Sequence, residues 1–83
     1  MIKKNNFIFK ISNRKNKKYD VFDKMNNYIT SFGDNRYQHY KDKIGLYKHL
    51  DHLDNDRKKR YKLRHGTNPK PLSAGWFSLN YLW

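Results

Sequence analysis

The absence of cysteine is the feature that most constrains how this short chain can fold. A chain of 83 residues has room for one small core, and domains of this size commonly rely on disulfides, a metal or dense packing of large side chains. Without cysteine, disulfides and thiolate zinc sites are excluded. Aromatic residues supply 17% of the chain instead, seven of them tyrosines. Because rings bury a large area at little cost in side-chain entropy, we expect one domain, residues 1–83, with an aromatic core.

Alternation of apolar residues predicts β-strands in the first third of the chain. The segment 7–11, FIFKI, places two phenylalanines and an isoleucine on one face, with Lys10 opposite. The segments 18–22 and 28–32 alternate in the same way, and polar stretches separate the three. We therefore predict a three-stranded antiparallel meander within residues 1–33.

Helical spacing begins after the meander and predicts that residues 34–66 are helical. Asp34 is suited to cap a short helix over residues 35–43, because its side chain can accept backbone N–H groups. In this segment, aromatic and aliphatic residues recur at helical intervals: Tyr37, Tyr40 and Ile44. A stripe of leucines that follows is expected to face the sheet: Leu46, Leu50 and Leu53.

A further helix is predicted over residues 55–65, because both of its ends are marked. Asp54 is a typical N-cap residue, Asp56 lies in the first turn, and Gly66 ends the segment. The cations of its body also suit the negative end of the helix dipole. One face of this helix combines charge and rings: Arg57, Tyr61 and Arg64 or His65.

The last segment, residues 67–83, opens with two prolines that prevent the helix from continuing. An aromatic run follows, and it either packs over the sheet to complete the core or inserts into a partner protein. In the second case the partner-binding residues are Trp76, Phe77, Tyr81 and Trp83. The predicted fold is α+β: a three-stranded antiparallel meander, two or three short helices and an aromatic C-terminal tail.

The charge balance favours a polyanionic partner. Lys and Arg number 19 against seven Asp and no Glu, which gives a net charge of +12. Such an excess favours a partner whose bound counterions are released on association, above all nucleic acid. The cations form two blocks without acids, residues 1–18 and residues 57–70.

The histidines and aspartates of the middle segment raise two other possibilities. A metal site is sterically conceivable from His39, His49, His52 and His65 with Asp51, Asp54 and Asp56. No short ligand pattern such as HExxH is present, however, and the aspartates already have a role as helix caps. A nuclease would need clustered carboxylates, and a chain this small has little room for a substrate pocket. We therefore expect no metal, no cofactor and no enzymatic activity.

Phosphate contacts are the favoured role of the basic blocks. The predicted contacts are Arg57, Lys58, Lys59, Arg60, Lys62 and Arg64 from the helix, with Lys15, Lys17 and Lys18 from the turn. The alternative is a solvated surface helix whose arginines pair with nearby aspartates. No apolar run approaches the roughly 20 residues of a membrane span. We expect a soluble intracellular protein that binds nucleic acid, DNA in preference to RNA, and no membrane.

Three groups of residues form an extended pattern in the later two-thirds of the chain: a tyrosine ladder (Tyr37, Tyr40, Tyr47), the series His52, Asp56, Arg57-Lys58, Tyr61, Arg64, His65, and the closing residues Ser78, Leu82 and Trp83. On this pattern, residues 32–66 and 72–83 resemble a family of small basic proteins found in large nucleocytoplasmic DNA viruses of the mimivirus and phycodnavirus kind.

The resemblance implies a viral origin and a compact domain in the infected host cell. It implies no activity and assigns no functional residue. A small basic viral protein of this kind is expected to be packaged with the genome in the virion. The alternative is a minor structural or adaptor protein of the particle that binds other virion proteins through its aromatic tail.

Overall fold

A computed structural model describes all 83 residues and shows an α+β domain with one antiparallel sheet. The strands follow chain order as neighbours: β1 (Ile2–Lys4), β2 (Phe7–Ile11), β3 (Tyr19–Asp23) and β4 (Tyr28–Phe32). The second, third and fourth strands are the three that the alternation predicted. The predicted class is therefore confirmed, with a sheet of four strands rather than three.

The additional strand, β1, contains one isoleucine and two lysines, so alternation gives almost no signal there. It pairs with β2, with Ile2 opposite Phe9, through a turn formed by Asn5 and Asn6. Both asparagines adopt positive φ, 53° and 68°, as a two-residue hairpin of the favoured twist requires. The Asn-Asn pair directly before FIFKI was the available clue.

The structure contains two α-helices, α1 (Asn55–His65) and α2 (Ala74–Tyr81). The predicted bounds of α1 are confirmed: the side chain of Asp54 accepts hydrogen bonds from two backbone N–H groups of the first turn, and Gly66 ends the helix at φ 79°. α2 lies in the segment predicted as a tail, where the Ser73 side chain caps it by accepting the N–H of Trp76.

The helix predicted over residues 35–43 is absent, and the leucine stripe does not form. The segment between β4 and α1 is irregular except for a short 3₁₀ turn, Lys48–Leu50. The backbone N–H groups of Lys41 and Lys43 donate instead to the carbonyl oxygens of Leu82 and Tyr81, whereas a helix would have bonded them internally. Leu53 is 57% exposed rather than facing the sheet.

Aromatic rings form the core, as predicted, and α2 closes it over the sheet. Phe9 of β2 lies 4.9 Å from Tyr81, and Phe32 of β4 stacks 5.5 Å from Phe77, measured between ring centroids. The tail therefore completes the core, which is one of the two outcomes that its sequence left open. Phe77 and Tyr81 are buried and are withdrawn as partner-binding residues.

A buried polar network ties the irregular segment to the sheet. The Tyr19 hydroxyl donates to the Asp42 carboxylate over 2.5 Å and accepts the N–H of Leu46. Burial and the neighbouring Asp42 carboxylate both raise the pKa of Tyr19, so this hydroxyl keeps its proton. The network fixes the segment that supplies one wall of the candidate site.

Candidate nucleic-acid interface

A groove of about 670 Å³ separates α1 from the turn between β2 and β3. The end of β4 with the loop after it, and α2 with the two residues that follow it, supply the remaining walls. Four small residues line its interior: Gly33, Ala74, Gly75 and Ser78. The groove is therefore built from four separate segments of the chain, residues 16–18, 32–38, 57–65 and 74–83.

Cations from both basic blocks reach this groove. Lys17 comes from the β2–β3 turn, and Arg57 and Arg64 come from one face of α1, two turns apart. His65 lines the same wall at the end of the helix. Two blocks that are about forty residues apart in sequence thus place positive charge around one opening.

The arginines of α1 are not paired with carboxylates. The ion pairs of the structure join Arg14 to Asp20 and Arg36 to Asp34, and His39 contacts Asp51; none of these contacts involves this helix. Arg57 donates to the side-chain oxygen of Gln38 over 3.0 Å, which orients the guanidinium without neutralising it. The structure therefore does not show the alternative in which the arginines of this helix pair with nearby aspartates.

The other cations predicted on α1 lie outside the groove. Lys59 and Arg60 are exposed, and Lys62 is half-buried. The ammonium group of Lys58 lies 4.3 Å from the centroid of the Tyr40 ring, in cation–π contact. On the β2–β3 turn, Lys15 is exposed but does not line the groove.

Lys18 does not fit the role of a phosphate contact. It is 2% exposed, and its Nζ lies 2.8 Å from Nδ1 of His39, whose Nε2 lies 2.5 Å from Asp51. Burial lowers the pKa of Lys18 to about 8, and nearby aspartates oppose that shift. Its ammonium group is committed to the interior, so we withdraw Lys18 from the contact set.

A stack of aromatic rings forms one side of the groove. Trp83 lies parallel to Tyr61, with centroids 4.3 Å apart and an interplanar angle of 5°, and His65 continues the stack 4.3 Å beyond Tyr61. Tyr37 contributes another ring to the lining and is 63% exposed. The shared face of Arg57 and Tyr61 was visible in the sequence, but nothing there indicated that Tyr37 and Trp83 would join it.

The groove contains one acidic residue, Asp34, and its charge is already matched. Its carboxylate accepts two hydrogen bonds from the Arg36 guanidinium, at 2.8 and 3.0 Å. The hydrogen bond from Arg36 holds the pKa of Asp34 at about 2. The unmatched charge of the lining is consequently positive.

The histidines and aspartates do not assemble as metal ligands. No group of three or more of these side chains lies close enough to hold a metal ion. Asp51 is hydrogen-bonded to His39, Asp54 caps α1, and Nδ1 of His52 accepts the N–H of Asp54.

Neither helix has the length and apolar character needed to cross a bilayer.

Comparison of the chain with protein-family models, with curated proteins and with solved structures finds no match.

Proposed function

We propose that this protein binds nucleic acid through phosphate contacts and that it has no catalytic role. The observation that carries the proposal is the meeting of Lys17, Arg57 and Arg64, without carboxylate partners, around one groove. One guanidinium group can donate two parallel hydrogen bonds to the oxygens of a phosphate, and it stays charged at any physiological pH. Lys15, Lys58, Lys59, Arg60 and Lys62 extend the positive surface beyond the groove.

The net charge supports a polyanion as the partner. At +12 on 83 residues, repulsion between the side chains disfavours the compact state, and a phosphate backbone relieves it. Contacts of this kind position a nucleic acid without reading its sequence. We therefore propose largely sequence-independent binding, with DNA as the favoured partner.

The biological setting is proposed from the resemblance to small basic proteins of large DNA viruses. In that setting the protein acts in the infected cell and accompanies the genome into the virion. An adaptor role through the aromatic tail has less support, because two of its four rings are in the core and Trp83 stacks on Tyr61.

A salt titration of DNA binding tests the proposal. Contacts with about six phosphates of a duplex give a slope of about −5 in a plot of log affinity against log salt concentration. Replacing Arg57 and Arg64 together by Ala should weaken binding and reduce the magnitude of the slope by about 2. A response to salt that is flat in the unmodified protein would contradict phosphate binding.

A charge-matched control separates the groove from a general effect of net charge. Lys43 and Lys48 are exposed, lie outside both basic blocks and do not line the groove. Replacing both by Ala removes the same charge as the arginine pair. The slope of this variant should remain that of the unmodified protein, and an equal loss in both variants would place the contacts elsewhere.

A further inference from the structure

We infer that the groove binds single-stranded nucleic acid, with an unpaired base against its aromatic lining and the adjoining phosphates on its arginines. This inference rests on the proposed function, because it takes phosphate binding as given. It goes further by specifying the form of nucleic acid and by assigning roles to Tyr37, Tyr61, His65 and Trp83.

The shape of the site favours a single strand. A volume of about 670 Å³ lies within the range of pockets that hold small molecules, about 300 to 1,000 Å³, so a nucleotide has room inside it. A duplex keeps its bases paired and stacked, and it presents a convex backbone that touches only the rim of a groove. Phosphate binding alone needs only exposed cations on the protein surface, and a cavity of this volume is surplus to that need.

At Gly33 the lining of the groove is closely packed against neighbouring side chains. A Cβ added at Gly33 would lie 3.0 Å from side-chain atoms of both Leu82 and Lys18, so the chain approaches closely there. Ala74 and Gly75, in the first turn of α2, present backbone with little side chain.

The lining combines the two components that sequence-tolerant single-strand binding uses. Those components are a positive groove that follows the backbone and aromatic faces on which bases stack. Here the stack of Trp83, Tyr61 and His65 runs along the wall that also carries Arg57 and Arg64. Tyr37, from the loop after β4, also lines the groove. It is largely exposed, and the centroid of its ring lies 5.4 Å from the Arg36 guanidinium.

Tyr37 is the residue whose role separates the single-strand inference from simple phosphate binding. It carries no formal charge, and its exposed ring contributes little to the core, so its removal leaves the charge and the fold unchanged. Stacking of one base on an aromatic ring is worth enough to change affinity about tenfold. A purely electrostatic interface would not respond to its loss.

The experiment measures the fluorescence anisotropy of two labelled probes, an oligothymidine of about 12 nucleotides and a duplex of equal length. This length falls within the site sizes of single-strand binding proteins. We expect the single strand to bind at least about tenfold more tightly than the duplex at equal salt. Tyr37→Ala should weaken single-strand binding about tenfold and weaken duplex binding by much less, because paired bases do not stack on the ring. Tyr37→Phe, which keeps a ring, should restore most of the affinity.

Tyr28 provides a control of the same residue type. It is 48% exposed on β4 and does not line the groove. Tyr28→Ala should leave the affinity for both probes unchanged, provided that circular dichroism shows each variant to be folded.

The outcomes distinguish this inference from the proposed function. If the duplex binds as tightly as the single strand and Tyr37→Ala has no effect, the single-strand inference is overturned while phosphate binding stands. If neither probe binds, the proposed function fails and the inference fails with it. A single-strand preference that is lost in Tyr37→Ala and kept in Tyr28→Ala supports both.

Discussion

His39 lies in the interior between Lys18 and Asp51, and its protonation state decides whether the three can pack together. With Nδ1 accepting from the Lys18 ammonium and Nε2–H donating to the Asp51 carboxylate, a neutral imidazole satisfies every partner. A protonated ring would lose the lysine hydrogen bond and would place two buried cations 2.8 Å apart. Burial, followed by the Lys18 charge, accordingly lowers the pKa of His39.

This arrangement predicts that the protein loses stability in mild acid. Because the pKa is lower in the folded than in the unfolded state, the stabilisation is fully present above about pH 6.5 and is lost as the pH falls below it. Burial also lowers the pKa of His52, so this residue contributes to the same loss of stability in mild acid. Urea unfolding between about pH 5 and pH 7.5 should show this decline in the free energy of unfolding.

Two variants isolate the contribution of His39. His39→Gln should flatten the pH dependence over that range, since glutamine does not titrate. His49→Gln, at an exposed histidine, should keep the full dependence of the unmodified protein. A slope that is identical in all three proteins would place its origin outside the buried network.

At the scale of elements, local sequence signals predicted the parts of the fold that are stabilised locally. The strands from Phe7 onward alternate because one face of the sheet is buried, and α1 is marked by Asp54 and Gly66 at its ends. α2 was not predicted because its residues are apolar on several sides, so its sequence shows no helical period. Its cap, Ser73 three residues before Trp76, was the missed signal.

The segment between β4 and α1 could not have been predicted from local pattern. Tyr37, Tyr40 and Ile44 have helical spacing, but their conformation is set by Asp42 and His39, whose partners are distant in sequence. Tertiary hydrogen bonds thus override the local preference. The same distance in sequence explains why the positive charge of α1 was predicted and the contribution of Tyr37 to the groove was not.

The N-cap of α1 provides a test at the element scale, because this helix buries no residue completely and depends on its ends. Asp54→Ala removes the acceptor for two N–H groups and should lower the free energy of unfolding by about 1 kcal/mol. Asp54→Ser keeps a capping oxygen and should recover most of that loss. Chemical unfolding at neutral pH measures both changes, and equal losses would show that the cap contributes nothing specific.

At the scale of the whole molecule, the C-terminal helix α2 converts an open sheet into a closed core. Phe77 is fully buried and contacts rings from both β2 and β4, Phe9 at 6.3 Å and Phe32 at 5.5 Å between centroids. Small domains have total stabilities of only about 5 to 15 kcal/mol, and this one lacks disulfides. Its folding and the shape of its groove therefore depend on the last ten residues.

Phe77→Ala should destabilise the protein by about 3 to 5 kcal/mol and should leave much of the population unfolded at room temperature. Trp76→Ala, at the neighbouring half-buried ring, should cost less. Near-ultraviolet circular dichroism and urea unfolding measure the two effects. A Phe77→Ala protein as stable as the Trp76→Ala protein would contradict the role of α2 as the closing layer.

The most direct test of the groove as the binding site is a titration of ¹⁵N-labelled protein with the oligothymidine, followed by amide chemical shifts. If nucleic acid binds in the groove, the largest amide shifts should fall on Lys17, Tyr37, Arg57, Tyr61 and Arg64. The amides of Lys43 and Lys48, which carry the same charge outside the groove, should move little. Shifts concentrated on another surface, or spread evenly over all exposed lysines, would contradict binding in the groove.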